Sequence, residues 1–201
     1  MALVELQSDA LRQEALQLVS SAGLLELLEQ TFGDAAIVGS VDFDLMTWCD
    51  IDVYVRVDRA TKATFLALIP ELQSRLSAAA YTLVRATFND EWVLPRGDYG
   101  HGYYWGLRTE SRKGRSWKID IWGWDEAVYP VKVREHRALK QLLGGCDRDM
   151  VLRLKRQAMK LAGFRDTITS YDVYQFVLSG DGTTLEELRT FAAARRSGGS
   201  A

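Results

Sequence analysis

The chain has 201 residues and a formal net charge of −2. That is long enough for one large domain with a sizeable core, and the charge balance argues against gripping long nucleic acid by bulk electrostatics. Its hydrophobic fraction of 47% and charged fraction of 26% are those of a globular domain rather than a disordered or fibrous chain. No apolar run is long enough to span a membrane, and the N-terminus lacks a basic start followed by an apolar segment. Two cysteines, Cys49 and Cys146, make neither a disulfide framework nor a zinc pattern. A reducing cytoplasm is the expected compartment.

In chain order, leucines and alanines recur at helical spacing over residues 7–31, with Gly23 as a break and Gly33 as a stop. A short apolar strand, Ala36-Ile37-Val38, follows and ends in a turn at Gly39-Ser40. A second strand is expected from Asp50 to Val57. Residues 59–80 read as a helix that Pro70 should kink or split. Next come a strand over 81–87, a turn at Asn89-Asp90-Glu91, and a short apolar piece from Trp92 to Leu94. Residues 95–102 form a glycine-rich loop. Strands over 103–109 and 117–122 then flank a hairpin tip with Lys113-Gly114 at its turn. From Val131 the pattern is helical. One helix ends at Gly144-Gly145. A basic one runs from the Asp147–Asp149 region to Leu161, its cations reading as a solvated face. Two more span 170–178 and the stretch capped by Thr183-Thr184.

The chemistry concentrates on the strand at Asp50. Alternation along a strand sends Ile51, Val53 and Val55 to the core and turns Asp50 and Asp52 together to the other face. Paired carboxylates repel unless a cation neutralises them, and oxygen-only ligands suit a hard ion such as Mg²⁺. An Asp-x-Asp on a solvated strand face can equally be plain polar surface. Its context adds meaning: Gly39 lets backbone N–H groups approach a phosphate closely, and Ser40 adds a hydroxyl donor. Asp120 stands in an otherwise apolar strand and needs a partner, such as Lys118 or Arg108 beside it. Arg96, His101, Arg108 and Lys118 are candidate phosphate or acceptor contacts. The basic hairpin tip at Arg112, Lys113 and Arg115 is a weaker candidate for an anionic partner.

Gly39-Ser40, Leu45-Met46 and Asp50-Ile51-Asp52 together resemble the nucleotidyltransferase superfamily motif, in which Gly-Ser is followed after a spacer by Asp-hydrophobic-Asp. Many members carry a glycine just before the Leu-Met pair, where this chain has Asp44, a fourth acid near the site. The resemblance implies an α+β fold similar to the catalytic core of DNA polymerase beta: a mixed sheet with helices on one side, followed here by a C-terminal helical segment. It implies a catalytic core over residues 1–130; the helical pattern that follows gives packed helices over 131–194, and the small polar stretch over 195–201 reads as a disordered tail. It further implies two Mg²⁺ ions, with Mn²⁺ as the alternative, held by Asp50, Asp52 and Asp120, with Asp120 as the third carboxylate and a candidate base. Gly39, Ser40, Arg108 and Lys118 become nucleotide contacts. The implied activity is transfer of a nucleoside monophosphate from a triphosphate such as ATP to an acceptor hydroxyl, on a small molecule in preference to nucleic acid, with release of pyrophosphate. The competing expectation is a non-catalytic binding or regulatory module, such as an antitoxin-type partner protein.

Overall fold

In the computed structural model, residues 3–94, 101–164, 166–180 and 182–198 are described. Two helices, α1 (Leu3–Ser21) and α2 (Leu24–Phe32), lead into strand β1 (Ala35–Val38). The break between them is Gly23, whose φ of 55° suits a residue without a Cβ. A single helical turn, α3 (Gly39–Asp42), precedes β2 (Asp50–Arg56). Helix α4 (Lys62–Ala78) then leads to β3 (Tyr81–Asp90), β4 (Gly102–Ser111) and β5 (Ser116–Trp124). Four helices complete the described chain: α5 (Val128–Leu143), α6 (Arg148–Ala158), α7 (Ser170–Ser179) and α8 (Leu185–Gly198).

The five strands form one mixed sheet in the order β1-β2-β5-β4-β3. Only the central β2–β5 pair is parallel; the other pairs are antiparallel. One face is apolar. Ile51, Val53 and Val55 of β2, Ile119 and Ile121 of β5 and Leu107 of β4 are fully buried there, in one cluster with Leu18, Leu28, Phe65 and Leu72 from α1, α2 and α4. A second apolar cluster joins α5 to α8 around Leu152, Val173, Phe176 and Leu188, and takes in Leu45 from the spacer before β2. The mixed α+β architecture agrees with the expectation from sequence.

Several boundaries differ. Pro70 lies inside α4 without splitting it. Pro70 is exposed, and so is Leu66 one turn earlier, so the carbonyl that the proline leaves without a donor can be reached by water. Strand β3 continues through Asn89 and Asp90, and Trp92–Leu94 is the turn that follows it. Helix α6 stops at Ala158, short of Leu161. Helix α8 runs to Gly198, so residues 195–198 are helical where a disordered tail was expected. The predicted loop at 95–100, with Arg96, lies outside the described residues.

Candidate active site

The parallel pairing of β2 with β5 decides the geometry. Its register sets Asp52 opposite Asp120 and Asp50 opposite Lys118, so all four side chains share the face turned away from the apolar core. One oxygen from each of Asp50, Asp52 and Asp120 lies within 4.8 Å of the others. Asp50 and Asp120 are buried, at 7% and 5% exposure, and Asp52 is partly exposed. Burial pushes the Asp52 carboxyl well above the usual carboxylate range, and the charges of Asp50 and Asp120 push it the same way. A divalent cation among these three oxygens would remove that cost, and the all-carboxylate donor set suits Mg²⁺ or Mn²⁺. The Gly-Ser turn and the three aspartates meet at one site.

Gly39 stands at the junction of turn and site. Its φ is 68°, and a Cβ there would come within 2.6 Å of Asp52 Oδ2. The missing side chain therefore serves both the turn and the close approach of the carboxylate. Ser40 is buried beside it, and the Phe43 and Leu45 N–H groups close the turn on the Gly39 and Ser40 carbonyls. Asp44 also has a positive φ, 59°. Asp and Asn tolerate that conformation better than most residues, which accounts for an aspartate in place of the spacer glycine. Its carboxylate is turned to Arg148, at 3.3 Å, and Arg12, at 3.6 Å, and is not one of the three clustered acids.

Asp120 has two partners. Tyr104 on β4 donates a 2.9 Å hydrogen bond to Oδ1, and the Lys118 ammonium lies on Oδ2. Lys118 Nζ is also 3.7 Å from Asp50 Oδ1. The two alternatives for Asp120 therefore hold together: it pairs with Lys118 and it joins the other two acids. Arg108 is on the same face, opposite Lys118. His101 is exposed just before β4 and is not among the described residues that line the cleft.

That cleft, about 1020 Å³, runs from Gly39, Ser40, Asp50 and Asp52 across to α5 and α7. Trp48 and Tyr171 stand on its walls, as do Tyr54, Trp122 and Trp124 from the sheet. Trp122 and Trp124 stack at 5.2 Å. Burial and the Asp52 charge push the Tyr54 phenol up to about 12, so it stays protonated.

Two residues that sequence reasoning passed over are brought here. His136 on α5 lines the cleft, pairs with Asp42 at 2.8 Å and stacks on Phe43. Burial lowers its pKa, against the opposing pull of Asp42. Lys155 on α6 is fully buried. It donates to the Leu45 carbonyl at 2.5 Å and to the Tyr174 hydroxyl at 2.8 Å. Burial brings its pKa down to about 7, although the charges of Asp50 and Asp52 oppose the shift. The signal was available: Lys155 falls one helical turn from both Val151 and Ala158, on the buried stripe of α6.

No family model matches the sequence, and no curated protein matches it either. Among solved structures, the chain is similar to a cytoplasmic RNA terminal U-transferase, with 17% identity over 78% of this chain and a TM-score of 0.42. It is also similar to terminal uridylyl transferase 4 from Trypanosoma brucei with bound UPU, with 15% identity over 85% of the chain and a TM-score of 0.43. The chain spans about half the length of these two, 46% and 52% respectively. A third is the CdnE cyclic dinucleotide synthase of Elizabethkingia meningoseptica with GTP and Apcpp. There the identity is 13%, the match covers 95% of this chain and 82% of that one, and the TM-score is 0.36.

Proposed function

We propose that the protein is a metal-dependent nucleotidyltransferase that moves a nucleoside monophosphate from a nucleoside triphosphate to an acceptor hydroxyl on a small molecule. The observation that carries this reading is the convergence of three carboxylate oxygens within 4.8 Å, against a glycine whose Cβ would collide with one of them. Asp50, Asp52 and Asp120 would hold two divalent ions, which supply charge neutralisation at the phosphates and acidify the acceptor hydroxyl. Gly39 and Ser40 face the triphosphate from the turn, and the π faces of Trp48 and Tyr171 are available to a base. Lys118 is the cation already among the acids, and Arg108 stands one strand farther along the same face. Asp120, which accepts a hydrogen bond from Tyr104, would take the hydroxyl proton. A cytoplasmic setting agrees with both cysteines being free thiols.

The test is calorimetric titration of the wild-type protein and the Asp52→Ala variant with each of the four nucleoside triphosphates, with and without Mg²⁺. The expected result is binding that requires the metal and is lost in the variant, and the preferred triphosphate names the base. Absence of binding by all four would replace the enzyme with a non-catalytic module that acts through a partner.

A further inference from the structure

Beyond Asp120 the uncovered face of the sheet carries a row of cations. Arg85 on β3 is directly opposite Arg108 on β4, and Arg108 is directly opposite Lys118 on β5. Like charges opposite one another on neighbouring strands destabilise a sheet. Lys118 is compensated by Asp120 and Asp50. Among the described residues, neither Arg85 nor Arg108 makes a side-chain hydrogen bond or an ion pair. Arg85 is exposed and Arg108 partly so.

The arrangement is also built by an irregularity of the backbone. Leu83 pairs with Thr109, but the next pair is Arg85 with Arg108, so Val84 is an extra residue in β3. Without that bulge Val84 would stand opposite Arg108, and Arg85 would turn to the core face with Leu107. Bulges commonly re-aim a side chain beside a functional site. Here one brings a second guanidinium alongside the first, at the strand spacing of about 4.8 Å. Two planar forks at that separation suit the oxygens of one phosphate.

The position relative to the acids fixes what such a phosphate would belong to. The pair Gly106–Asp120 is the next same-face pair along β4 and β5 from Arg108–Lys118, a step of about 7 Å. A phosphate held at Arg85 and Arg108 is therefore too far from Asp120 to be the attacking group, yet close enough to belong to the same acceptor. In the opposite direction along β4, the next residue on this face is Glu110, which is exposed. Its charge opposes a second phosphate farther along. A single anionic group fits this face better than a polyanion.

We propose that Arg85 and Arg108 form the phosphate subsite of the acceptor, and that the acceptor is a small phosphomonoester carrying a free hydroxyl. This rests on the transferase reading. The hydroxyl oxygen bonds to the α-phosphorus of the triphosphate, the bond from that phosphorus to the bridging oxygen breaks, pyrophosphate leaves with that electron pair, and the hydroxyl proton passes to Asp120.

The test uses the full chain without nucleotide and with chelator present, so that it does not depend on the metal site. Phenyl phosphate is titrated into the wild type and into the Arg85→Gln/Arg108→Gln double variant. The expected result is wild-type binding that weakens about tenfold or more in the variant. The double variant without ligand should melt at a higher temperature than wild type, because a like-charge pair is gone, and phenyl phosphate should raise the melting temperature of wild type only. Equal affinity in the two proteins overturns the subsite. So does a single-stranded oligoribonucleotide that binds wild type far more tightly than phenyl phosphate and loses that advantage in the double variant, since it makes the acceptor a polynucleotide. If triphosphate binding fails in the titration proposed above while phenyl phosphate binding still depends on the two arginines, the anion site stands and the transferase reading falls.

Discussion

Tyr104 shows how much of this site depends on a single side chain. Its hydroxyl crosses from β4 to Asp120 on β5 over Gly106, where a Cβ would lie 2.5 Å from that hydroxyl. The ring also packs against Trp122, with centroids 4.4 Å apart. Tyr104→Phe keeps the ring and removes only the hydrogen bond. The fold should survive, and kcat of the proposed nucleotidyl transfer should fall about ten- to a hundredfold with little change in the KM for the triphosphate, because a charge-assisted hydrogen bond of about 1.5–3 kcal/mol is lost at one carboxylate. Steady-state kinetics with circular dichroism as a folding control would check this. An equal loss in KM would assign Tyr104 to binding instead. Strand alternation made the shared face of Asp50 and Asp52 legible in the sequence, whereas Asp120 was added by the family resemblance and not by periodicity. Tyr104 was not legible, since its relation to Asp120 depends on the register between two strands, which periodicity along one strand cannot supply. Asp44 was legible only as a departure. Its meaning came from a backbone angle and from Arg148, a residue far along the chain.

At the scale of elements, α4 carries a cost that the sequence announced but misplaced. Pro70 was expected to break the helix; instead the helix continues, held by Phe65, Leu68, Leu72 and Leu76 in the core. Tertiary packing overrides the local preference. The proline sits on the exposed side and makes no contribution to that stripe, so Pro70→Ala should raise unfolding stability by about 1–3 kcal/mol. Urea denaturation would show a higher midpoint with an unchanged slope; a lower midpoint would mean that the ring contributes packing after all. Helix α6 was misread in the other direction. Its many cations suggested a solvated face, and Arg153 does pair at the surface with Asp149. Lys155 instead occupies the apolar stripe and ties α6 to the Leu45 carbonyl ahead of β2. Counting charges along a helix gives its polarity; only position around the axis gives the direction of each charge.

The whole molecule should report Lys155 in its pH dependence. The group's folded-state pKa of about 7 lies below its ordinary 10.5. Between those values the unfolded chain holds a proton that the folded protein does not, so this residue makes stability rise with pH, by up to about 1.4 kcal/mol per unit. Below pH 7 the full cost of charging a buried ammonium is present. Urea melts from pH 7.5 to 9.5, with chelator present, should show the rise in wild type and lose it in Lys155→Met. A slope retained in the variant would place the titration elsewhere. The overall architecture was readable because a distinctive spacing named a fold, whereas the helical cluster that closes the cleft was readable only as a series of helices. How α5 to α8 fold back depends on contacts such as Arg148 with Asp9 and with the Asp44 carbonyl, which join distant stretches and leave no local pattern.

The parallel pairing of β2 and β5 also bears on how the molecule comes into being. Asp52 leaves the ribosome well before its opposite number Asp120, and the strand that must lie between β2 and β4 is made after both. A chain halted before Ser116 holds two of the three acids and four of the five strands, with one edge of β2 still waiting for its neighbour. Such an intermediate exposes an unpaired strand edge to other chains. The order of synthesis thus makes β5 the closing piece, and the same event that buries that edge completes the acidic site.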